Sequence, residues 1–552
     1  RFFWIERFVR LYSAAMNPPL TLLLADTGLH PIDYLIVFAY LLAMIGIGWR
    51  LSRKQETVEE FFVAGRKMPW LATGLSMIAT LMSTLTYLGS PGEVIQYGIG
   101  QSISLLALPF AFAVVYMLWV PFFMRLRLTS AYEYIERRFG TTARMLTVAL
   151  YLFLRFLWMG AIVFTASSAV AQMTQDTAPG AIEKLTLGLV RLTPVSWFYT
   201  VLIITGLASS LYTMLGGISA VIWTDVLQFT ILFLGAIATL IVVAFETGTG
   251  PTTWWHDATA VYHPLPQWAT WDLGTRVTIT WSLLSGFFWH VCTHASDQVA
   301  LQRYFTTESA VAARRTALVN YVLDCAMQCL LTLVGMALLT YYLRHTNELP
   351  EGITDPRSPE FADKIFPRFI AYGLPVGVSG LVVAALFAVA QSSIDSGINS
   401  TATVITVDVL RRFRKQQLDS DTELRHAQWL TLGIGLFVTA AALAVALLPA
   451  RYNLIDLQFK SFNCVLGPLG AIFMAGMLLR HVGERAVVIA GLLGTVSGFL
   501  FAFMDLIPGW TAPTAFLIIP LSWLVTFLTA AVLGGILQGP RPDQLKGLTL
   551  RE

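Results

Sequence analysis

The chain has 552 residues, 56% hydrophobic and only 12% charged, with a mean hydropathy of +0.66 and a net charge of +3. Soluble domains carry about 25% charged residues, so this composition excludes an ordinary soluble fold and describes a polytopic membrane protein. The four cysteines, Cys292, Cys325, Cys329 and Cys464, all fall in apolar segments, with neither disulfide nor metal spacing, and read as buried free thiols.

In chain order, the first twenty residues mix aromatics with Arg1, Arg7 and Arg10, as an interfacial amphipathic helix or a poorly ordered leader would. The segment 1–31 is expected outside the membrane. A 30 Å hydrocarbon core needs about twenty helical residues. Apolar stretches of suitable length lie at 32–51, 71–96, 105–124, 142–174, 196–215, 220–245, 277–292, 316–343, 377–410, 427–448, 456–479, 486–503 and 516–537, about thirteen spans. Lys and Arg cluster in alternate loops, with Arg50 to Lys67, Arg125 to Arg144, Arg303 to Arg315, Arg411 to Arg425, Arg480 and Arg485, and the tail from Arg541. By the positive-inside rule these face the cytoplasm, which puts the N-terminus outside and the C-terminus inside. The long loops 246–276 and 344–372 then lie outside. The first carries Trp254, Trp255, Trp268 and Trp271, read as an interfacial belt or a cap. No phosphate loop, zinc-ligand spacing or nucleophile elbow argues for an enzyme.

One apolar segment is unlike the others. Within 377–410 the run 386–399, LFAVAQSSIDSGIN, brings Gln391, Ser392, Ser393, Asp395, Ser396 and Asn399 close together. Polar groups at bilayer depth persist only against a cavity, an ion or another helix. Hydroxyls beside a carboxylate are hard oxygen ligands, suited to a small cation such as Na+. Arg155 is a second anomaly. It lies eleven residues beyond Arg144, about 16 Å along a helix, and needs either an internal partner, for instance Asp324, or a carboxylate ligand.

Six stretches resemble the sodium:solute symporter family: FFVAGRKMPW (61–70), LTSAYEYIERRFG (128–140), YTMLGGISAVIWTDVLQ (212–228), DQVALQRYF (297–305), AALFAVAQSSIDS (384–396) and GPLGAIFMAGML (467–478). They occur in the family's order. The resemblance implies an all-α, LeuT-type core of five helices repeated in inverted orientation, here 71–245 and 277–479, joined by the outer loop 246–276. One peripheral helix precedes it (32–51), two follow (486–537), and the tail 538–552 is cytoplasmic. Such folds break the first helix of each repeat at the binding site. Ala79, Thr80, Ser83, Thr84 and Thr86 interrupt the first here, and Ser282, Ser285 and Gly286 the sixth.

By motif position the resemblance implies a sodium site of the Ala79, Met82 and Val389 carbonyls with the Ser392 and Ser393 hydroxyls. The alternative is that both serines bond back to their own helix. It also implies a possible second sodium at Asp225, Asp395 and Ser396 with Ser392, the alternative being that Asp225 caps the inner end of its helix near water. Solute is expected near Ser83, Thr86 and Tyr87, with Arg155, Trp289 and Asn463, and with His290, His294, Trp281, Phe459 and Lys460 as further cavity candidates. Sugar-carrying members have an asparagine and a Glu-Gln pair where Leu81, Leu85 and Thr86 stand, whereas the run 83–98, STLTYLGSPGEVIQYG, resembles the iodide, monocarboxylate, vitamin and sialic acid branches, whose solutes are anions; the resemblance thus implies a small organic anion such as a monocarboxylate or sugar acid. The alternatives are a neutral solute, or a sodium-independent facilitator or sensor; the short tail after Leu537 argues against a sensor. The expected partners are solute, sodium and membrane lipid, with no nucleic acid. The expected location is the plasma (inner) membrane.

Overall fold

The protein is described by a computed structural model covering residues 29–52, 57–174, 178–185, 193–262, 265–349, 353–362, 364–413, 419–446 and 454–550. The segment 1–28, for which a leader or interfacial helix was expected, lies outside the described residues. Among them there is no strand. A bilayer core offers no water to backbone N–H and C=O groups, so each spanning segment must satisfy its own, and a helix does so.

The helices used below are α1 (Pro31–Ser52), α2 (Trp70–Leu81), α3 (Thr84–Tyr97), α4 (Gln101–Leu126), α5 (Tyr132–Arg138), α6 (Thr141–Thr174), α7 (Pro194–Leu211), α8 (Thr213–Thr247), α9 (Ile279–Ser296), α10 (Gln298–Phe305), α11 (Ala310–Arg344), α12 (Val378–Leu410), α13 (Ser420–Ala446), α14 (Leu454–Leu478), α15 (Glu484–Phe503) and α16 (Ile518–Ile536). All thirteen expected spans are helical. Among the described residues nine helices are long and apolar enough to cross a membrane, and α2 with α3 makes a tenth, bent by 57°. The other three are the shorter apolar stretches Pro31–Met44 and Phe462–Leu478 and the broken rod of α9 and α10.

The helix carrying the polar run is the central one. In α12, 88% of the most apolar window is buried, against 61% or less in the other eight. Outer helices turn large apolar side chains outward, among them Leu35 and Phe38 of α1, Phe110 of α4 and Val532 of α16. Cys292 and Cys464 are buried as expected, whereas Cys325 is half-buried and Cys329 exposed on the outer face of α11. On the long loop 246–276 Trp254 is buried while Trp268 and Trp271 are exposed.

The first break falls where the hydroxyl-rich stretch predicts it. α2 ends at Leu81, Met82 and Ser83 are extended, and the Ser83 hydroxyl caps α3 by accepting from the Thr86 N–H at 3.3 Å. The second break is displaced from Ser282, Ser285 and Gly286, which lie inside unbroken α9. It falls at Asp297, which is extended and whose carboxylate accepts from the Val299 N–H at 3.0 Å, starting α10. An aspartate N-cap stops one helix and begins the next. A third change of direction, at Gly217, needs the left-handed φ of +55° that glycine adopts freely.

Three arginines read as loop charges, Arg138, Arg144 and Arg303, are buried. Arg138 donates from Nε to the Gly476 carbonyl (3.0 Å), from Nη1 to Val482 (3.2 Å) and from Nη2 to Leu479 (2.7 Å), satisfying the C-terminal end of α14. Arg144 pairs with Asp408 and Glu136. Beside Arg138 the segment after α16 folds back: Leu550 donates its N–H to the Met477 carbonyl at 3.0 Å, Tyr134 its hydroxyl to the Leu548 carbonyl at 3.2 Å, and Arg125 to the Thr549 carbonyl at 2.9 Å.

The peripheral α1 is pinned to the core by Asp33. One carboxylate oxygen accepts from the N–H groups of Gly377 (2.7 Å) and Gly380 (2.9 Å), the other from His30 (2.9 Å). A carboxylate at the start of α12 also complements the helix dipole. Asp33→Ala is expected to cost about 1–2 kcal/mol, the range for a lost N-terminal cap, and to lower the melting temperature of purified protein. Asp33→Asn, which keeps an acceptor, should lose less. An unchanged melt in both variants would remove this role.

Candidate ion and solute sites

Three rods, α2, α8 and α10, converge on the middle of α12. The Ser393 hydroxyl donates to the Thr80 carbonyl of α2 at 3.4 Å, and the Ser392 hydroxyl donates to a carboxylate oxygen of Asp225 on α8. Both serines are buried. They reach across to neighbouring rods, so the alternative in which they only bond back to their own helix does not hold. Asp225 is fully buried as well, which removes the alternative of a water-facing cap. Its other oxygen accepts from Ser76 at 2.5 Å and Thr80 at 3.3 Å.

The central group in this cluster is Arg303. It belongs to α10, is fully buried, and pairs with Asp225 at 3.1 Å. It also donates to Ser76 (2.9 Å), to Ser396 (2.6 Å) and to the Thr80 hydroxyl. Asp395 stands slightly apart. One oxygen accepts from Thr213 at 2.7 Å, and the other, buried, has no partner among the described residues. All the side-chain acceptors here are hydroxyl or carboxylate oxygens, the set a hard monovalent cation requires. Of the five residues expected at the first sodium site, Ala79 and Met82 lie at the end of α2 and the first break, and Val389, Ser392 and Ser393 on the facing rod. Of the second set, Asp225 and Ser396 are bridged by the Arg303 guanidinium.

A cavity of about 130 Å³ opens beside the first break. Leu81, Met82 and Thr86 from the break, Gln101 and Ser104 of α4, Trp289 and His290 of α9, Asn320, Asp324 and Gln328 of α11, and Phe459 of α14 line it. Thr86, Trp289, His290 and Phe459 are therefore where the sequence places them. Ser83 and Tyr87 are buried off the cavity wall; the Tyr87 hydroxyl donates to the Leu232 carbonyl at 3.2 Å. Asn463 is buried elsewhere, with neither amide atom bonded among the described residues. Lys460 pairs with Asp505 at 3.1 Å.

Arg155 is not brought to the cavity, and its partner is not Asp324. It pairs with Asp297, the residue at the second break, with its guanidinium 4.6 Å from the Trp158 ring centre. Asp324 instead accepts from Gln328 at 2.7 Å and faces His290 at 3.6 Å. Spacing along α6 fixed the depth of Arg155 but not its azimuth, and the acid it meets sits at a break placed elsewhere.

A family model for the sodium:solute symporter family matches residues 61–494. The chain belongs to the sodium:solute symporter family. It is 31% identical to the sodium/sialic acid symporter NanT of Aliivibrio fischeri, over 84% of this chain and 86% of that protein. It is 27% identical to the sodium/sialic acid symporter SiaT of Proteus mirabilis, over 84% and 88%, and 28% identical to human sodium-coupled monocarboxylate transporter 1, over 85% and 72%. A solved sodium-coupled sialic acid symporter in a substrate-bound outward-open state superposes with a TM-score of 0.76 at 23% identity, covering 93% of this chain and 99% of that one. A nucleobase-cation-symport transporter superposes with a TM-score of 0.56 at 12% identity, over 88% and 97%. The fold is thus the LeuT type, and the protein is an integral membrane, sodium-coupled solute symporter rather than an enzyme.

Removing one member of a buried ion pair leaves an uncompensated charge and costs about 3–5 kcal/mol. Arg303→Met and Asp225→Asn are therefore each expected to destabilise this symporter strongly, and the double variant less than their sum, in thermal melts of purified protein. Strictly additive losses would show that the two side chains are not coupled.

Proposed function

We propose that sodium binds between the first break and α12, on the Ala79, Met82 and Val389 carbonyls and the Ser392 and Ser393 hydroxyls, and that it completes the solute cavity beside it. The observation that carries this reading is the buried hydroxyl pair of α12 set beside the first break, with Ser393 donating to the Thr80 carbonyl near the end of α2 and Ser392 to Asp225 on α8. Sodium holding these rods together from one side, and leaving on the other where it is scarce, couples its gradient to the solute by alternating access. The two inverted repeats, taken as 71–245 and 277–479, then rock around a fixed site. The basic loops face the cytoplasm, with the N-terminus outside and the C-terminus inside. The cluster of Asp225, Asp395 and Ser396, suited in its oxygens to a second sodium, we assign mainly to the protein's own cation, Arg303. One sodium per cycle follows.

The solute we propose is a small organic anion. The relatives named above carry sialic acid or monocarboxylates by their names. Among the described residues lining the cavity there is no Lys or Arg, so a carboxylate would be met by the N-terminal end of α3, with its dipole, and by hydroxyl and amide donors. The same hydroxyls and amides favour a second reading, a neutral polyhydroxylated solute.

In proteoliposomes, uptake tested with N-acetylneuraminate, pyruvate and galactose is expected for an acid and not for galactose, and only under an inward sodium gradient. Ser392→Ala combined with Ser393→Ala should lower it at least tenfold, since each lost oxygen ligand contributes about 1 kcal/mol or more. Undiminished uptake in potassium alone would refute sodium coupling. Galactose uptake without acid uptake would refute the anion assignment.

A further inference from the structure

The solute cavity contains an acid that the functions assigned so far leave unused. Asp324 faces it from α11, and His290 faces it from α9, with Nε2 3.6 Å from the carboxylate and each side chain 12% exposed. A second, smaller cavity of about 20 Å³ shares His290, Asn320 and Asp324 with the first, and adds His294 and Tyr304. His294 lies one turn beyond His290 on α9, and its Nδ1 is 2.8 Å from the Tyr304 hydroxyl. Tyr304 is the residue after Arg303 on α10, beyond the second break. A line of proton-exchanging groups thus runs from the solute cavity to the helix that supplies the guanidinium of the ion cluster.

Among the described residues lining the two cavities there is no Lys, Arg or Glu and no second Asp. From α11 come Asp324 with Tyr321 and the half-buried Cys325, from α10 Tyr304, and from α9 His294. The residues of α4 and α14 that line the cavities are uncharged and do not titrate. Arg303 is turned to Asp225, and Lys460 to Asp505. An ionised carboxylate in such a place repels an anionic solute, because the interaction is weakly screened away from water. A proton on the pair removes that repulsion and leaves a donor facing the solute.

We infer that the His290–Asp324 pair is a proton site, and that the protein carries one proton together with its sodium and its anionic solute. The proton is delivered by hydronium from the outer solution, leaving water. It sits on the carboxylate or the imidazole while solute is bound, and is released to water on the inner side. This rests on the organic-anion reading. It also resolves a difficulty of that reading. One sodium with a monovalent anion is electrically neutral and takes nothing from the membrane potential, whereas a proton added to them restores one net charge. At about 2.3 kcal/mol per charge per 100 mV, and 1.4 kcal/mol per tenfold, that raises the attainable accumulation about fifty-fold.

The test uses the full chain in proteoliposomes containing a pH-sensitive dye, under an inward sodium gradient, with N-acetylneuraminate, pyruvate and galactose added in turn. The expected result is internal acidification of about one proton per acid taken up, stimulation by an inside-negative potential, and solute affinity that rises up to tenfold for each unit of pH lowered, by reciprocal linkage. In Asp324→Asn and in His290→Gln, whatever uptake remains should show a proton-to-solute ratio near zero, and Asp324→Glu should restore the ratio. Acid uptake by the wild type with no acidification and no response to potential overturns the inference while leaving the anion reading intact. Galactose uptake with acidification that Asp324→Asn abolishes keeps the proton site and overturns the anion reading. Galactose uptake without acidification overturns both.

Discussion

The arrangement of the core depends on one buried ion pair. Asp225 and Arg303 are both fully excluded from solvent, in an interior where an unpaired charge is very costly. Their neighbours are set by that requirement. Ser76 and Thr80 from α2, Ser392 and Ser396 from α12, and the capped start of α10 must all approach closely enough to use the remaining lone pairs and N–H groups. The pair therefore fixes four rods relative to one another. It does so at the level where α2 gives way to α3, so the backbone that a sodium ion would use is held by the same contacts. The same contacts connect α12 to α10 through Ser396, Ser392, Asp225 and Arg303.

Much of this was legible in the residues. The thirteen helical segments follow from apolar length, and the first break from a run of small hydroxyl residues that no ordinary lipid-facing helix would carry. The importance of 386–399 follows from the cost of placing Ser392, Ser393 and Asp395 in hydrocarbon. The failures are of another kind. By sequence Arg303 reads as a basic-loop charge, because it follows an apolar stretch and precedes Arg314 and Arg315, a pattern that a short buried helix beyond a break imitates. The sign of that break was present: Asp297 stands just where an N-cap would, ahead of the helical run 298–305. It was outweighed by serines and a glycine that α9 tolerates. Once Asp297 is placed, the partner of Arg155 follows, and Asp324 is released to face the cavity with His290. Azimuth around a helix, which one-dimensional spacing does not fix, decided each of these.

The two breaks are used differently. At the first, backbone is left extended at Met82 and Ser83, with only a hydroxyl cap on α3. At the second, Asp297 serves both as the cap of α10 and as the counterion of Arg155 from α6. The first is open to ligands. The second is closed by the protein's own charges and ties α10 to α6. With Arg303 one helical turn and a half further on, α10 is held at both ends by ionic contacts to different rods, which makes it a lever rather than a free segment.

The folded-back stretch after α16 also has a practical bearing. Its backbone accepts from Tyr134 and Arg125 and donates to Met477, while Gln544 donates to the Phe139 carbonyl at 2.8 Å. It is thereby sewn to α4, to α5 and to the end of α14, beside the Arg138 fan of bonds. A fluorophore or affinity handle inserted within this stretch would unpick that seam at all three helices. Reporters of rod movement belong instead on the lipid-facing flank of α11 or α16, where substitution disturbs only contact with the bilayer.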